Sequence, residues 1–152
     1  MKIIATNKKA NYNYHILEPY EVGISLLGSE VKSIREGRVS LKESYAEIKD
    51  GQIFLMNCHI SPYEPANQFN HEPKRPRKLL LHKREIKKLT GKVREKGLTL
   101  IPTKIYLNQR GIVKIELALA KGKKEYQKKE AIKERDRRRE MEAELKRFSK
   151  RY

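Results

Sequence analysis

The side chains able to do chemistry are few and scattered. His15, His59, His71 and His82 are the four histidines, none sits four residues from another, and Cys58 is the single cysteine, so the spacing of a zinc site is absent. Carboxylate pairs such as Glu43 and Glu47 have Lys42 and Lys49 beside them and read as ion-pair partners rather than an acid–base dyad. The motifs G-x-x-x-x-G-K-[ST], G-x-G-x-x-G and G-x-S-x-G do not occur. The Gly-Lys of Ala120-Lys121-Gly122-Lys123-Lys124 lacks the strand and loop of a phosphate cradle. No active site assembles, and neither a metal nor a cofactor is implied. Cys58 closes the apolar run Ile53-Phe54-Leu55-Met56-Asn57-Cys58, which makes it a buried, inert thiol.

What the chain does concentrate is positive charge: 36 Lys and Arg against 19 Asp and Glu, a net of +17 in 152 residues. The charge is placed, not smeared. Residues 1–120 carry 22 basic and 12 acidic side chains, and within them Lys74 to Lys96 hold 11 basic residues against Glu85 and Glu95, a net of +9. The last 32 residues carry 14 against 7. Density of this kind calls for a polyanion. Tyr12, Tyr14, Tyr20, Tyr45, Tyr63, Tyr106 and Tyr126 are dispersed among the basic and extended segments, where a phenol can stack on an unpaired base while Lys or Arg holds phosphate, or can pack half-buried. No membrane is expected as location or partner: apolar runs such as Leu79-Leu80-Leu81 fall far short of the ~18 residues that span a bilayer, and Met141 to Tyr152 is only a weak version of the amphipathic helix a membrane-surface binder needs. The N-terminus has no signal-peptide pattern, so the expected place is the cytoplasm.

The elements that must position these residues follow from turn signals and periodicity. Tyr12–Glu18 and Gly23–Leu27 read as a hairpin broken at Pro19 and Gly23. Ser29 caps a two-turn helix that ends at Arg35 before Gly37. Ser44–Ile48 and Gln52–Ile60 pair across Asp50-Gly51. Four prolines make 61–76 an extended surface loop. Ile86, Leu89 and Val93 share one face of a helix that Gly97 stops, and Leu98–Leu107 and Ile112–Leu119 form a third hairpin around Asn108-Gln109-Arg110-Gly111. Three hairpins with helices in the connections predict a mainly β fold, a small closed antiparallel barrel of about six strands, with an open α+β sheet as the alternative. Residues 1–120 are then the barrel domain and 121–152 a basic tail. Met141, Leu145, Phe148 and Tyr152 fall on one helix face, but Lys133 to Glu140 offer no apolar anchor, so the tail is expected to be disordered when free and helical on a partner.

Six blocks then stand in order: Asn7-Lys8-Lys9-Ala10, Tyr20-Glu21-Val22-Gly23, Gly28-Ser29-Glu30-Val31-Lys32-Ser33-Ile34-Arg35, Asn70-His71, Arg77-Lys78-Leu79-Leu80-Leu81-His82, and Ala120-Lys121-Gly122-Lys123-Lys124. Over Asn7 to Arg139 the chain closely resembles the SsrA-binding protein family, also called small protein B. The resemblance implies a bacterial, cytoplasmic, non-catalytic RNA-binding protein of trans-translation (ribosome rescue and peptide tagging), monomeric, with an oligonucleotide-binding-like barrel. It implies binding to the tRNA-like end of transfer-messenger RNA (tmRNA) and delivery of the alanylated RNA, with elongation factor Tu and GTP, to a stalled ribosome. The tail is then expected to pass the small-subunit decoding site and probe the vacant messenger channel. By matching motif position the resemblance assigns RNA contacts, or their support, to Asn7, Lys8, Glu21, Glu30, Lys32, Arg35, Arg77, Lys78, Leu80 and Lys114. It assigns ribosome contacts to Lys121, Gly122, Lys123, Lys124, Tyr126, Lys128, Lys129, Lys133 and Arg135. The family reads an aromatic residue or His followed by Asp-Lys-Arg where this chain has Tyr126-Gln127-Lys128-Lys129, so an acid and a bidentate guanidinium are exchanged for weaker groups. A ribosomal protein or general RNA chaperone is the alternative reading; an RNA-processing enzyme is a third, disfavoured by the missing catalytic constellation.

Overall fold

The structure, a computed structural model, describes residues 1–123 and 134–146, with Asn67, Gln68 and Phe69 described by backbone alone. The chain divides into two compact units, Met1–Gly122 and Lys123–Tyr152. In the first unit the elements run β1 (Lys2–Thr6), α1 (Ala10–Asn13), β2 (Tyr14–Ile24), α2 (Gly28–Arg35), β3 (Val39–Ser40), β4 (Tyr45–Lys49), β5 (Gln52–Met56), β6 (His59–Ile60), a 3-10 helix (Glu64–Phe69), β7 (Arg77–Leu80), α3 (Lys83–Lys96), β8 (Thr99–Leu107) and β9 (Val113–Gly122).

Two hairpins form where their turns were legible. Asp50 and Gly51 hold φ of 51° and 72°, the left-handed pair that a two-residue turn between right-twisted strands requires. Asn108 Oδ1 accepts from the N–H groups of Arg110 and Ile112, each at 2.9 Å, and so closes the β8–β9 turn. The first expected hairpin does not exist. β2 is one eleven-residue strand that carries Pro19 in its middle. Its neighbour β9 covers Tyr14 to Gly23, whereas on the other edge β7 meets only Gly23 and Ile24. Pro19 therefore lies along an otherwise unpaired stretch of edge, where its missing N–H takes nothing from a ladder.

Six strands close a ring in the order β8-β4-β5-β7-β2-β9, with β9 returning to β8. Every pair is antiparallel. Closure depends on β8 sharing one edge between two neighbours, Ala46 of β4 facing Leu100 while β1 lines Lys104 to Leu107. The expected count of six strands holds, but β7 takes the place of the second strand of the missing hairpin. Val22, Ile24, Ile53, Leu55, Leu79, Leu100, Ile105, Ile115 and Leu117 alternate inward, and Ile34 of α2 with Ile86 and Leu89 of α3 join the same core. α3 ends as read, with Gly97 left-handed at φ 61°. Cys58 is buried within this core, and burial pushes its thiol up to about 11, so it is inert at neutral pH.

The segment 61–76 lies at the surface, with Pro62, Glu64, Pro65, Glu72, Lys74 and Pro76 exposed, but it is anchored and its Glu64–Phe69 stretch is a 3-10 helix. Ser61 accepts from Ser33 Oγ of α2 at 2.7 Å, Asn70 pairs with both backbone groups of Tyr63, and His71 is buried between Ile60 O at 2.9 Å and Ser29 Oγ at 2.8 Å. Its prolines break regular structure, as they must, yet its polar side chains fasten it to α2. In the second unit residues 134–146 are helical and every one is exposed. Glu134 pairs with Arg137 at 2.5 Å and with Arg138 at 3.7 Å, the i,i+3 and i,i+4 contacts that support a helix lacking a packed face. No helix among the described residues is long and apolar enough to cross a membrane.

Candidate nucleic-acid interface

Neighbouring strands β9, β2 and β7 bring one row of outward positions together. Lys114 stands opposite Gly23, and Gly23 opposite Leu80. In the centre of that row the space is close: a Cβ on Gly23 would come 3.2 Å from Leu80 Cβ, a crowded contact that glycine avoids. The result is a groove of about 530 Å³ whose walls include Glu21, Lys78, Leu80, Lys83 and Lys114. Four residues assigned to RNA from three separate stretches, Glu21, Lys78 with Leu80, and Lys114, therefore share one depression. Leu80 is 51% exposed, the apolar wall of an otherwise ionic site.

Sequence reasoning missed the support of that groove. The Tyr106 hydroxyl donates to Glu21 Oε2, and the ring, only 4% exposed, has Lys104 Nζ 5.9 Å from its centroid. Burial, then the Glu21 carboxylate, raise the Tyr106 phenol well above its ordinary value, so it stays a proton donor and holds the carboxylate in position. One oxygen of Glu21 remains for an amino group of a ligand. The signal that could have revealed Tyr106 is its place in a strand otherwise read as core, but which carboxylate it meets is a matter of pairing 85 residues away. Chemically the groove offers cations for phosphates, a flat apolar wall for a base or ribose, and an oriented carboxylate for base amino groups.

The other assigned residues lie elsewhere. Lys32 and Arg35 are exposed on α2, with Lys32 Nζ 5.4 Å from the centre of the Tyr63 ring. Asn7 donates from Nδ2 to Pro102 O at 3.0 Å and from its backbone to Thr103 O at 2.8 Å, so it ties the N-terminal turn to β8 and leaves Lys8 exposed beside it. Glu30 and Arg77 are both wholly buried. Arg77 Nε donates to Glu30 Oε2, its remaining nitrogens reach the carbonyls of Cys58 at 2.6 Å and Pro73 at 3.0 Å, and Arg75 Nη2 lies 2.5 Å from Glu30 Oε1. The same Oε1 accepts the Leu27 N–H at 2.8 Å. A guanidinium so enclosed is out of reach of phosphate, so of the two meanings carried by the motif, contact or support, support applies to Arg77 and Glu30. Alternation along β7 decides it: Arg77 and Leu79 point in, Lys78 and Leu80 out. Among the tail residues, Lys121 and Gly122 belong to β9, paired with His15 and Tyr14, and Arg135 lies in the exposed helix. Lys124, Tyr126, Lys128, Lys129 and Lys133 lie outside the described residues. Among the described residues no cluster of His, Cys, Asp and Glu could hold a metal.

Comparison with known proteins identifies the family. The family model described as SmpB protein matches residues 4–147. An SsrA-binding protein of Symbiobacterium thermophilum is 63% identical over 138 residues, covering 91% of this chain and 87% of that protein. One of Persephonella marina is 61% identical over 146 residues, covering 96% and 95%. A chain of the solved structure "tmRNA-SmpB: a journey to the center of the bacterial ribosome" superposes with a TM-score of 0.66 at 52% identity, over 80% of this chain and 85% of that one. The matched residues take in the ring, the groove and most of the tail, and at such identity over nearly the full length the protein belongs to the SmpB family.

Proposed function

We propose that the protein binds the tRNA-like domain of tmRNA and brings it to stalled ribosomes for trans-translation. The observation that carries this reading is the groove on β9, β2 and β7, where Glu21, Lys78 with Leu80, and Lys114 converge from three distant stretches of chain. In it the closed ring acts as an oligonucleotide-binding-like barrel: Lys78 and Lys114 hold phosphates, Leu80 packs on a base or ribose, and Glu21, fixed by Tyr106, accepts from a base amino group. Lys8, Lys32 and Arg35 extend the phosphate contacts around the barrel. Asn7, Glu30 and Arg77 hold the scaffold beneath them. The barrel domain runs to Gly122, and the basic tail beyond it enters the messenger channel past the decoding site. The protein works as a monomer in the cytoplasm, as a binding partner and not as an enzyme, alongside elongation factor Tu and GTP on the alanylated RNA.

The test is filter binding of the full chain to a transcribed tRNA-like fragment of tmRNA, in competition with bulk tRNA. Lys78→Ala with Lys114→Ala leaves the fold intact, because both side chains project outward, and weakens binding. Each lost phosphate contact lowers the log–log salt slope by about 0.7 to 0.9. Equal competition by bulk tRNA would favour the general RNA chaperone instead. Within the same groove, Gly23→Ala should reduce affinity without altering the salt slope, because its Cβ presses on Leu80 and displaces the apolar wall while leaving every cation in place.

A further inference from the structure

α3 caps the ring with Ile86, Leu89 and Val93, and its opposite face is bare. Arg84, Lys87, Lys88 and Arg94 are exposed there, and none makes an ion pair among the described residues. Lys92, at the flank, does, with Glu18 at 2.7 Å. Glu85 and Glu95 are the helix's acids, the first at the groove and the second beside Arg94. Positions 84, 87, 88, 91 and 94 follow the i, i+3, i+4, i+7 spacing of a single stripe, about 15 Å long at 1.5 Å per residue.

Gly91 stands in the middle of that stripe. A Cβ there would meet nothing within 4 Å, and its φ is not in the left-handed range, so neither space nor backbone asks for glycine. Helix propensity argues against it. A glycine on an exposed helix face, with Lys87 and Lys88 one turn before and Arg94 one turn after, makes a low saddle between cations where another backbone can approach closely. The first turn of the same helix, at Lys83, Glu85 and Ile86, already lines the groove.

We propose that the RNA held in the groove continues over α3, its sugar-phosphate strand lying across Gly91 between Lys87, Lys88 and Arg94. The inference rests on the reading of the groove as an RNA site. Continuity of the helix with the groove commits the stripe to that same RNA, rather than to a ribosomal one.

The experiment is filter binding of the full-length protein to the transcribed tRNA-like fragment across a salt series. Lys87→Gln with Lys88→Gln lowers the log–log slope by about 1.4 to 1.8, the value for two phosphate contacts. Gly91→Gln raises the Tm, since it improves the helix and touches nothing, yet binds more weakly with the slope unchanged, because it fills the saddle and removes no cation. Lys114→Gln in the groove is the companion variant. If the α3 variants bind as wild type while Lys114→Gln is weakened, the α3 path is overturned and the groove reading stands. If all three bind as wild type, both are overturned. Wild-type fragment binding by the α3 variants combined with lost ribosome rescue assigns the stripe to ribosomal RNA and also overturns the proposal.

Discussion

Replacing Arg77 by alanine unfolds the protein under mild conditions rather than merely weakening a ligand. The substitution strands the wholly buried Glu30 carboxylate, leaving it only the Leu27 N–H and the partly exposed Arg75, takes the guanidinium from the carbonyl of Cys58, and leaves Pro73 O only the Ile60 N–H. Removing one partner of a buried ion pair costs about 3 to 5 kcal/mol, a large share of the roughly 5 to 15 kcal/mol by which a domain is stable. Chemical denaturation followed by circular dichroism measures the loss. The neighbouring Lys78→Ala, whose side chain is exposed, stays within about 0.5 kcal/mol of wild type. Near-wild-type stability of Arg77→Ala would mean that the pair is not what holds β7 to α2. A charge reversal at Arg77 accordingly reports on folding and says nothing about RNA contact.

The same pair sets an acid limit. Burial raises the Glu30 carboxyl, but hydrogen bonds from Arg75, the Leu27 N–H and Arg77 outweigh it, and the group titrates below its ordinary value of 4.5. A carboxylate with a depressed folded-state pKa contributes stability that is full above the unfolded value and is lost as pH falls through the folded one. The stability gap between wild type and Glu30→Gln is therefore widest near neutrality and narrows below about pH 4.5. Denaturation midpoints at a series of pH values would show it, and a gap independent of pH would refute it.

A chain ending at Gly122 folds, binds the tRNA-like fragment and fails to tag proteins on stalled ribosomes. The cut belongs there and not at Ala120, because Lys121 and Gly122 complete β9 against His15 and Tyr14. Every inward residue of the ring precedes it, so the truncation removes charge and no core. Glu140→Pro, in the middle of the helix at 134–146, should reproduce the defect. Proline there costs about 3 kcal/mol, and a helix with no buried residue has no packing to offset the loss. Alanine transfer in a reconstituted stalled-ribosome reaction is the readout. Wild-type transfer by the shortened chain would make the tail dispensable, and wild-type transfer by Glu140→Pro alone would reduce it to an electrostatic tether that needs no helix.

Read alone, the chain determined whatever depends on a few adjacent residues. Asp50-Gly51 and Asn108 to Gly111 specify their turns by backbone conformation, Gly97 stops α3, the Ile86, Leu89 and Val93 spacing names its inner face, and the charge is where the lysines are. The resemblance rested on such local blocks too, which is why it named the family and a set of residues without saying which of them touch. Only the tertiary structure decided that Pro19 sits inside a strand, since a proline breaks a ladder only where a neighbour needs its N–H, and β2 lacks that neighbour along most of one edge. It also decided that Arg77 is scaffold while Lys78 is surface. Alternation along a strand separates the two faces, but which face is inside depends on the strands paired on either side. The groove is the clearest case: Lys114, Gly23 and Leu80 meet because β9 and β7 both flank β2 near Gly23. Partner choice between strands is set by how the whole ring buries its apolar face, a non-local quantity that no window of sequence contains.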